Sequence, residues 1–228
     1  MGFSRYAVPQ QGTLVRTGAE RATLVRRTYS LVFASILVTI AGTAYAMTNQ
    51  GMMDAVRAHP WIMLACTFVP LILSQVSRSS FPQNIGFVFL FTFAMGLYQA
   101  PFVAMAERAS PGIALQAGLL TFAAFGTLTA YAFFSRRDFS AWGSFLTTGV
   151  IVLLVVLVIM GFTGSSAGYT WVAGIGVLIF SGLLVFDTWR MRNVYGPDDY
   201  VMAAVSIYLD LLNMFMFILS LLSGGRKN

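Results

Sequence analysis

Residues 184–190 read LVFDTWR and residues 200–215 read YVMAAVSIYLDLLNMF, and each of these apolar stretches contains one aspartate. The aspartates are Asp187 and Asp210, whereas the other six of the eight acidic residues lie in the amino-terminal segment, in loops or at helix ends. An ionisable side chain inside a membrane-spanning helix is costly and therefore points to a functional site. The two stretches predict neighbouring membrane helices that share a diaspartate site.

The composition of the whole chain is that of a polytopic membrane protein. Its 228 residues are 57% hydrophobic and only 10% charged, with a mean hydropathy of +0.76. Runs of about 20 apolar residues, each able to cross a hydrocarbon core of about 30 Å, follow one another with short connections. The net charge of +6 comes mainly from arginines at the ends of these runs. That distribution is typical of membrane topology, so we expect the lipid bilayer as a partner and no nucleic acid.

Seven apolar runs predict an all-α integral membrane protein with seven transmembrane helices, near residues 28–47, 61–76, 85–106, 113–134, 143–160, 169–190 and 200–222. The predicted organisation is a basic cytoplasmic amino-terminal tail (1–27), a seven-helix transmembrane domain (28–222) and a short polar carboxyl-terminal tail (223–228). The segment between the first two runs, which contains His59, is predicted to be a short loop.

The distribution of basic residues predicts the orientation in the membrane. Ten of the fourteen lysines and arginines lie in the amino-terminal tail or in the loops after helices 2, 4 and 6, against four on the opposite side. By the positive-inside rule, we expect the amino terminus in the cytoplasm and, with seven spans, the carboxyl terminus outside.

The predicted hairpin of helices 6 and 7 places the two aspartates at similar depth in the membrane. Asp187 is nine residues before Gly196 and Asp210 is thirteen after Pro197, an offset of about 6 Å at about 1.5 Å per residue. Two carboxylates in contact at a poorly hydrated site tend to share a proton, which a cation can replace. Since Ca²⁺ prefers about six to eight oxygen ligands, we expect only a weak, transient Ca²⁺ site.

Three other side chains are candidates to support the aspartates. Arg78, at the cytoplasmic end of helix 2, is the candidate counter-ion, while Arg190 either pairs with Asp187 one turn away or extends to the membrane surface. Asn213, three residues after Asp210, is expected on the same helix face, as a further ligand or to orient the carboxylate. The alternative is that the aspartates are structural, satisfied by an arginine or by interhelical hydrogen bonds.

The two aspartate stretches resemble the signature of the Bax inhibitor-1 (transmembrane Bax inhibitor motif) family, and most of all its bacterial YccA-type branch. The resemblance implies a bacterial inner-membrane protein in which helix 7 lies centrally, wrapped by helices 1–6. It also implies a pH-sensitive calcium leak controlled by two aspartates, matched here by Asp187 and Asp210, with Arg78 as the nearest match to an arginine of helix 2 that exchanges with the first aspartate. Trp189 stands where the family commonly has Gln or Ser.

Two functions lead on the sequence alone, and a proton-coupled transporter also stays open, although no inverted sequence repeat supports it. One is a pH-sensitive calcium (cation) leak channel gated by the aspartate pair, with Ca²⁺ and protons as its ligands and no cofactor. The other is a regulator that binds and restrains a membrane-bound ATP-dependent (AAA+) quality-control protease, an association that the resemblance implies for some bacterial relatives. We expect no enzyme, because intramembrane aspartyl proteases have Gly-x-Gly-Asp at the second aspartate, whereas Tyr208 and Leu209 precede Asp210.

Overall fold

The computed structural model describes residues 18–76, 82–163 and 168–224, and these ranges contain helices and short connections without any β-strand. The prediction of an all-α protein is confirmed for this part of the chain. In order, the helices are α1 (Gly18–Thr48), α2 (Gln50–Ala58), α3 (Pro60–Val76), α4 (Gln83–Ala109), α5 (Ile113–Phe134), α6 (Trp142–Thr163), α7 (Tyr169–Asn193) and α8 (Tyr200–Gly224).

Six of the described helices are long and apolar enough to cross a membrane, namely α1, α4, α5, α6, α7 and α8. Helices α2 and α3 meet at an angle of 101° and add a seventh crossing if the bent pair is a single span. The protein is therefore an integral membrane protein with six or seven candidate spans. Helix α5 has the predicted bounds, and α7 and α8 start at the predicted Tyr169 and Tyr200.

The first helix begins earlier than the sequence predicts. α1 starts at Gly18 rather than near Thr28, so residues 18–27 of the predicted tail are helical, whereas residues 1–17 lie outside the described part of the chain. Glu20 lies in the first turn, where its negative charge interacts favourably with the helix dipole and stabilises the helix. Leu24 is buried in the core. The arginines make this segment polar on average, but Leu24 and the adjacent Val25 both pack on the core of the bundle.

The prediction of a loop before Pro60 is wrong, because this segment forms α2. The side chain of Asn49 caps α2 by accepting a hydrogen bond from the backbone N–H of Met52 at 3.1 Å. His59 lies at the bend between α2 and α3, as expected for a residue before proline, which disfavours helical backbone. The turn residues near Asn49 thus begin a new helix rather than a loop.

Helices α1 and α4 approach each other closely through small and hydroxyl-bearing residues. A side chain at Gly96 of α4 would collide with the backbone of Thr39 and Thr43 in α1. The Thr43 hydroxyl donates to the Gly96 carbonyl at 3.0 Å. The Thr39 hydroxyl lies 3.0 Å from the Thr92 carbonyl oxygen and 2.7 Å from the Tyr208 hydroxyl of α8. These hydrogen bonds join three helices where lipid supplies no polar partner.

Helix α8 is the most deeply buried of the candidate spans. In its most apolar stretch 61% of the residues are buried, against 44% or less in the other five. It packs against α1, α4, α5 and α7. Asp210, near the middle of α8, is consequently held in the protein interior rather than at the lipid boundary.

The close approach at Gly96 can be tested by adding a single methyl group. We expect Gly96→Ala to destabilise the protein by about 1–3 kcal/mol, because the new Cβ meets backbone atoms that cannot rotate away. Gly126→Ala in α5 is the matched control, since nothing lies within 4 Å of its Cβ position. Thermal unfolding in detergent measures both, and equal midpoints for the two variants would contradict the close packing of α1 on α4.

Candidate functional site

The connection between α7 and α8 is a compact turn that fixes the register of the two helices. The Asp199 carboxylate accepts a hydrogen bond from the backbone N–H of Gly196 at 2.7 Å. Tyr195 is buried beneath the turn, and burial raises the pKa of its phenol, which therefore stays neutral. Arg192, at the end of α7, donates to the Phe133 carbonyl at the end of α5. The aspartate hairpin is thus anchored to a third helix.

Asp187 of α7 and Asp210 of α8 meet in the interior. Asp187 is 8% exposed and Asp210 is 5% exposed. Their carboxyl groups are in side-chain hydrogen-bonding contact. The packing of α7 on α8 therefore brings them together although Asp210 is four residues farther from the turn than Asp187. The structure therefore brings together the two residues that the sequence singles out.

The chemistry of this contact requires a proton. A carboxylate only accepts hydrogen bonds, so two carboxyl groups can bond to each other only when one of them carries a proton to donate. Asp210 Oδ2 is buried and has no hydrogen-bond partner among the described residues. Asp210 Oδ2 is thus a buried acceptor beside the Asp187 carboxyl group that has no partner of its own among the described residues.

Arg190 is the basic residue that the structure places beside the pair. Its Nη1 lies 3.9 Å from Asp187 Oδ1, and its guanidinium stacks over the Tyr195 ring at 4.9 Å from the centroid. The side chain is 39% exposed, so it contacts the carboxylate while part of it stays outside the protein interior. A long, partly exposed ion pair of this kind stabilises the site only weakly.

The other two predicted supporting residues differ in outcome. Arg78 lies outside the described residues. Asn213 donates its amide to the Leu209 carbonyl of its own helix at 2.8 Å. It also lines a cavity whose lining includes neither Asp187 nor Asp210. The structure thus assigns Asn213 to an adjacent part of the protein rather than to the carboxylates.

Three hydroxyl groups with buried oxygens were not singled out from the sequence. Tyr29 of α1 lies within side-chain hydrogen-bonding reach of Thr188 of α7 and Thr129 of α5. None of the three oxygens has a hydrogen bond of ordinary geometry among the described residues. The signal available in the sequence was the threonine that directly follows Asp187 within an apolar run. Its partners come from distant helices and could not be inferred from spacing.

The pair can supply only part of a cation's coordination shell. Among the described residues, no group of three or more His, Cys, Asp or Glu side chains could hold a metal ion. Two carboxylates would leave several of the roughly six to eight oxygen positions of Ca²⁺ to backbone carbonyls and water. Such a site favours rapid exchange of the ion over tight binding.

Comparison with known proteins extends the resemblance beyond the aspartate hairpin. The family model described as "Inhibitor of apoptosis-promoting Bax1" matches residues 21–228. The chain belongs to the Bax inhibitor family. The resemblance of the two aspartate stretches to this family is therefore confirmed, and it covers almost the whole chain.

Relatives in this Bax inhibitor family come from eukaryotes and bacteria. The chain is 31% identical to Bax inhibitor 1 of Schizosaccharomyces pombe, covering 91% of this chain and 79% of the relative. It is 34% identical to the BI1-like protein of Arabidopsis thaliana, covering 88% of this chain and 80% of the relative. An uncharacterized protein of Deinococcus radiodurans is 30% identical, and the match covers 96% of this chain and 96% of that relative.

Two threonine substitutions test how the buried hydroxyls are satisfied. We expect Thr39→Val to destabilise the protein by about 1–3 kcal/mol, because it leaves the buried Tyr208 hydroxyl without its partner. Thr188→Val, the same change at an equally buried hydroxyl without an ordinary hydrogen bond, is expected to cost less than about 0.5 kcal/mol. The measurement is thermal or denaturant unfolding in detergent. A larger loss for Thr188→Val would show that its hydroxyl is the better bonded of the two.

Proposed function

We propose that this protein is a pH-sensitive leak channel for Ca²⁺ or for cations more broadly, gated by Asp187 and Asp210. The observation that carries the proposal is the contact between two buried carboxyl groups on adjacent membrane helices. The shared proton holds α7 against α8. When it leaves, two negative charges repel each other and attract a cation. Protonation therefore closes the site, and deprotonation favours cation entry.

A cavity at the amino-terminal ends of α1, α4 and α8 supports a route towards the pair. Its volume is about 990 Å³, and its lining includes Arg26, Arg27, Asp198, Asp199 and Tyr200. Beyond Tyr200, most residues of α8 up to Asp210 are buried. The arrangement fits a closed passage, in which α7 or α8 moves before an ion in the cavity reaches the carboxylates.

The proposed topology follows the charge distribution. The amino terminus lies on the cytoplasmic side of a bacterial inner membrane, since ten of the fourteen basic residues are on the same side as the amino terminus. The bent pair of α2 and α3 counts as one of seven spans, and α8, the most buried helix, is the central one.

The ion is a permeant species rather than a resident cofactor, because the pair offers too few ligands for tight binding. Asp187 and Asp210 contact the ion, and Arg190 competes with it for Asp187. We assign no enzymatic role, since the segment before Asp210 lacks the glycines of an intramembrane aspartyl protease.

A second candidate function is regulation of a membrane-bound ATP-dependent quality-control protease, which this protein would bind and restrain. The observation in its favour is the amino-terminal extension of α1, a helix whose arginines Arg21, Arg26 and Arg27 are exposed. A basic helix of this kind can dock onto an acidic protein surface. The two functions are compatible, because the extension and the aspartates belong to different parts of the chain.

The leak is tested by Ca²⁺ flux into proteoliposomes at pH 6 and pH 8. We expect faster flux at pH 8 in the wild type, because fewer aspartate pairs then share a proton. Asp187→Asn and Asp210→Asn are expected to lose this pH dependence, since an amide cannot release the proton. Asp138→Asn is the matched control, because Asp138 is an exposed loop residue that caps Ser140.

If folded wild-type protein passes no Ca²⁺ at either pH, the proposed leak function is wrong. Equal pH dependence in Asp138→Asn and in the two site variants would instead show that other groups sense the pH.

Regulation of a protease is tested by removing residues 1–17 and reversing the charge of Arg21. We expect this variant to lose its restraint of the protease in co-reconstituted membranes while keeping pH-dependent Ca²⁺ flux. The rate of degradation of a membrane substrate is the readout. Undiminished restraint would rule out the amino-terminal segment as the docking element.

A further inference from the structure

A groove that is open to the bilayer lies between α1 and α5, and α4 and α8 form its floor. Its volume is about 550 Å³, and none of the described residues in its lining is charged. The walls include Leu37 of α1 and Leu115 and Leu119 of α5, which are all more than half exposed. At the floor, Gln99 of α4 and Tyr208 of α8 are buried. An apolar lining with one side open to lipid favours an occupant that comes from the membrane rather than from water.

The groove extends along the direction of the helices. On α1 its lining runs from Phe33 to Met47, a distance of about 21 Å at about 1.5 Å per residue. Its volume falls within the range of about 300–1,000 Å³ that is typical of small-molecule sites. A space of this length suits an extended alkyl chain better than a compact polar molecule.

Gln99 is the exceptional polar residue of the groove. Its side chain is 5% exposed, and its Oε1 has no hydrogen-bond partner among the described residues. The other polar side chains of the lining are satisfied: the hydroxyls of Thr43 and Thr121 donate to backbone carbonyls, and those of Thr39 and Tyr208 contact each other. Nearly all buried amide oxygens in folded proteins have a partner, so the Gln99 oxygen indicates a ligand with a hydrogen-bond donor.

The contacts between α1 and α4 show where along the groove this acceptor lies. Thr39 contacts the Thr92 carbonyl, and Thr43, one turn later, contacts the Gly96 carbonyl. The two helices therefore run in the same direction. Gln99 follows Gly96 by three residues, which places it level with the carboxyl-terminal end of α1. The acceptor consequently lies at one end of the groove, and the remaining length is apolar apart from hydroxyls that already have partners.

We propose that this groove binds a single-chain lipid that ends in a hydroxyl-bearing group, such as a long-chain alcohol or a protonated fatty acid. The O–H of the lipid donates to Gln99 Oε1, and the chain runs along α1 towards Phe33. A charged end group would have no opposite charge among the described lining residues. A plain hydrocarbon would offer no donor to the buried oxygen. The site goes beyond the proposed leak and does not depend on it.

Two other occupants would make the groove an ordinary lipid-facing surface. The acyl chain of a bulk phospholipid would fill the apolar length without contacting the Gln99 oxygen as a donor. Water would satisfy that oxygen from the other side, since Gln99 also borders the cavity lined by Asn213. In either case a lipid hydroxyl would bring no advantage in binding, and this difference is measurable.

Photolabelling tests the site and the direction of the chain. The protein is reconstituted in phosphatidylcholine vesicles, whose headgroup carries no hydrogen-bond donor, with hexadecanol that bears a diazirine at the end opposite its hydroxyl. After illumination, mass spectrometry of peptides locates the label. We expect it near Phe33 of α1 and Phe122 of α5, at the far end of the groove, rather than near Met47. Label spread evenly over the lipid-facing surfaces of the other helices would overturn the site.

Competition tests the requirement for a donor. Unlabelled hexadecanol is expected to displace the probe about fivefold better or more than methyl hexadecanoate, which has the same chain and only acceptor oxygens. That ratio is the effect of one hydrogen bond. Equal displacement by the two compounds would overturn a hydroxyl-specific site and leave a groove that takes acyl chains in general.

Two leucine substitutions test the role of Gln99. We expect Gln99→Leu to reduce labelling at the groove about fivefold or more and to abolish the preference for hexadecanol over the ester. Gln116→Leu, the same change at an exposed position of α5 outside this lining, is the control. Thermal unfolding confirms that both variants are folded. Equal labelling of the two would overturn Gln99 as the hydrogen-bond partner.

Two glycines of α5 test the location of the site independently of Gln99. Nothing lies within 4 Å of a Cβ at Gly118 or Gly126, so either position accepts a side chain, but only Gly118 lines the groove. We expect Gly118→Leu to fill the groove and to reduce labelling about tenfold or more, whereas Gly126→Leu retains it. Equal labelling of these variants would overturn the groove as the binding site. Since no readout involves Ca²⁺ flux, failure of the leak leaves these results unchanged.

Discussion

A bilayer core contains no water to solvate charge, and this constraint governs the arrangement of the protein around Asp187 and Asp210. Each carboxyl group is buried, Asp210 faces Asp187, and Asp187 also lies near Arg190. Arg190 is too far from Asp187 and too exposed to neutralise the pair. Under the proposed function, a proton held between the two groups relieves their repulsion, and its release is the step that pH controls.

The rest of the bundle holds α8 on both sides of that contact. One turn or less before Asp210, the Tyr208 hydroxyl bonds to Thr39 of α1, which also contacts α4. After Asp210, Met214 accepts a hydrogen bond from Ser181 of α7 at 3.4 Å. The Phe217 ring occupies the space that a side chain at Gly176 would need. Separation of α7 from α8 would therefore be resisted at several levels along the two helices.

The polar groups of the interior form a series along α8. Asp199 and Tyr200 border one cavity, the aspartate pair follows, and Asn213 and Gln99 border a second cavity towards the other side. Between the first cavity and the pair, buried apolar side chains interrupt the series. The proposed gating acts on this closed segment.

The sequence by itself determined the class of the protein, most helix bounds and the two aspartates, because apolar runs and charges within them are local features with a direct energetic meaning in a membrane. It misjudged α2, which a capping asparagine begins, and the start of α1, where Leu24 and Val25 pack on the core despite the polar composition of the segment. Only the tertiary structure decided that Asp187 touches Asp210, that Asn213 lies at a cavity instead, and that Gln99 is buried without a partner. These facts depend on helix rotation and packing between residues far apart in the chain, which periodicity and spacing do not encode.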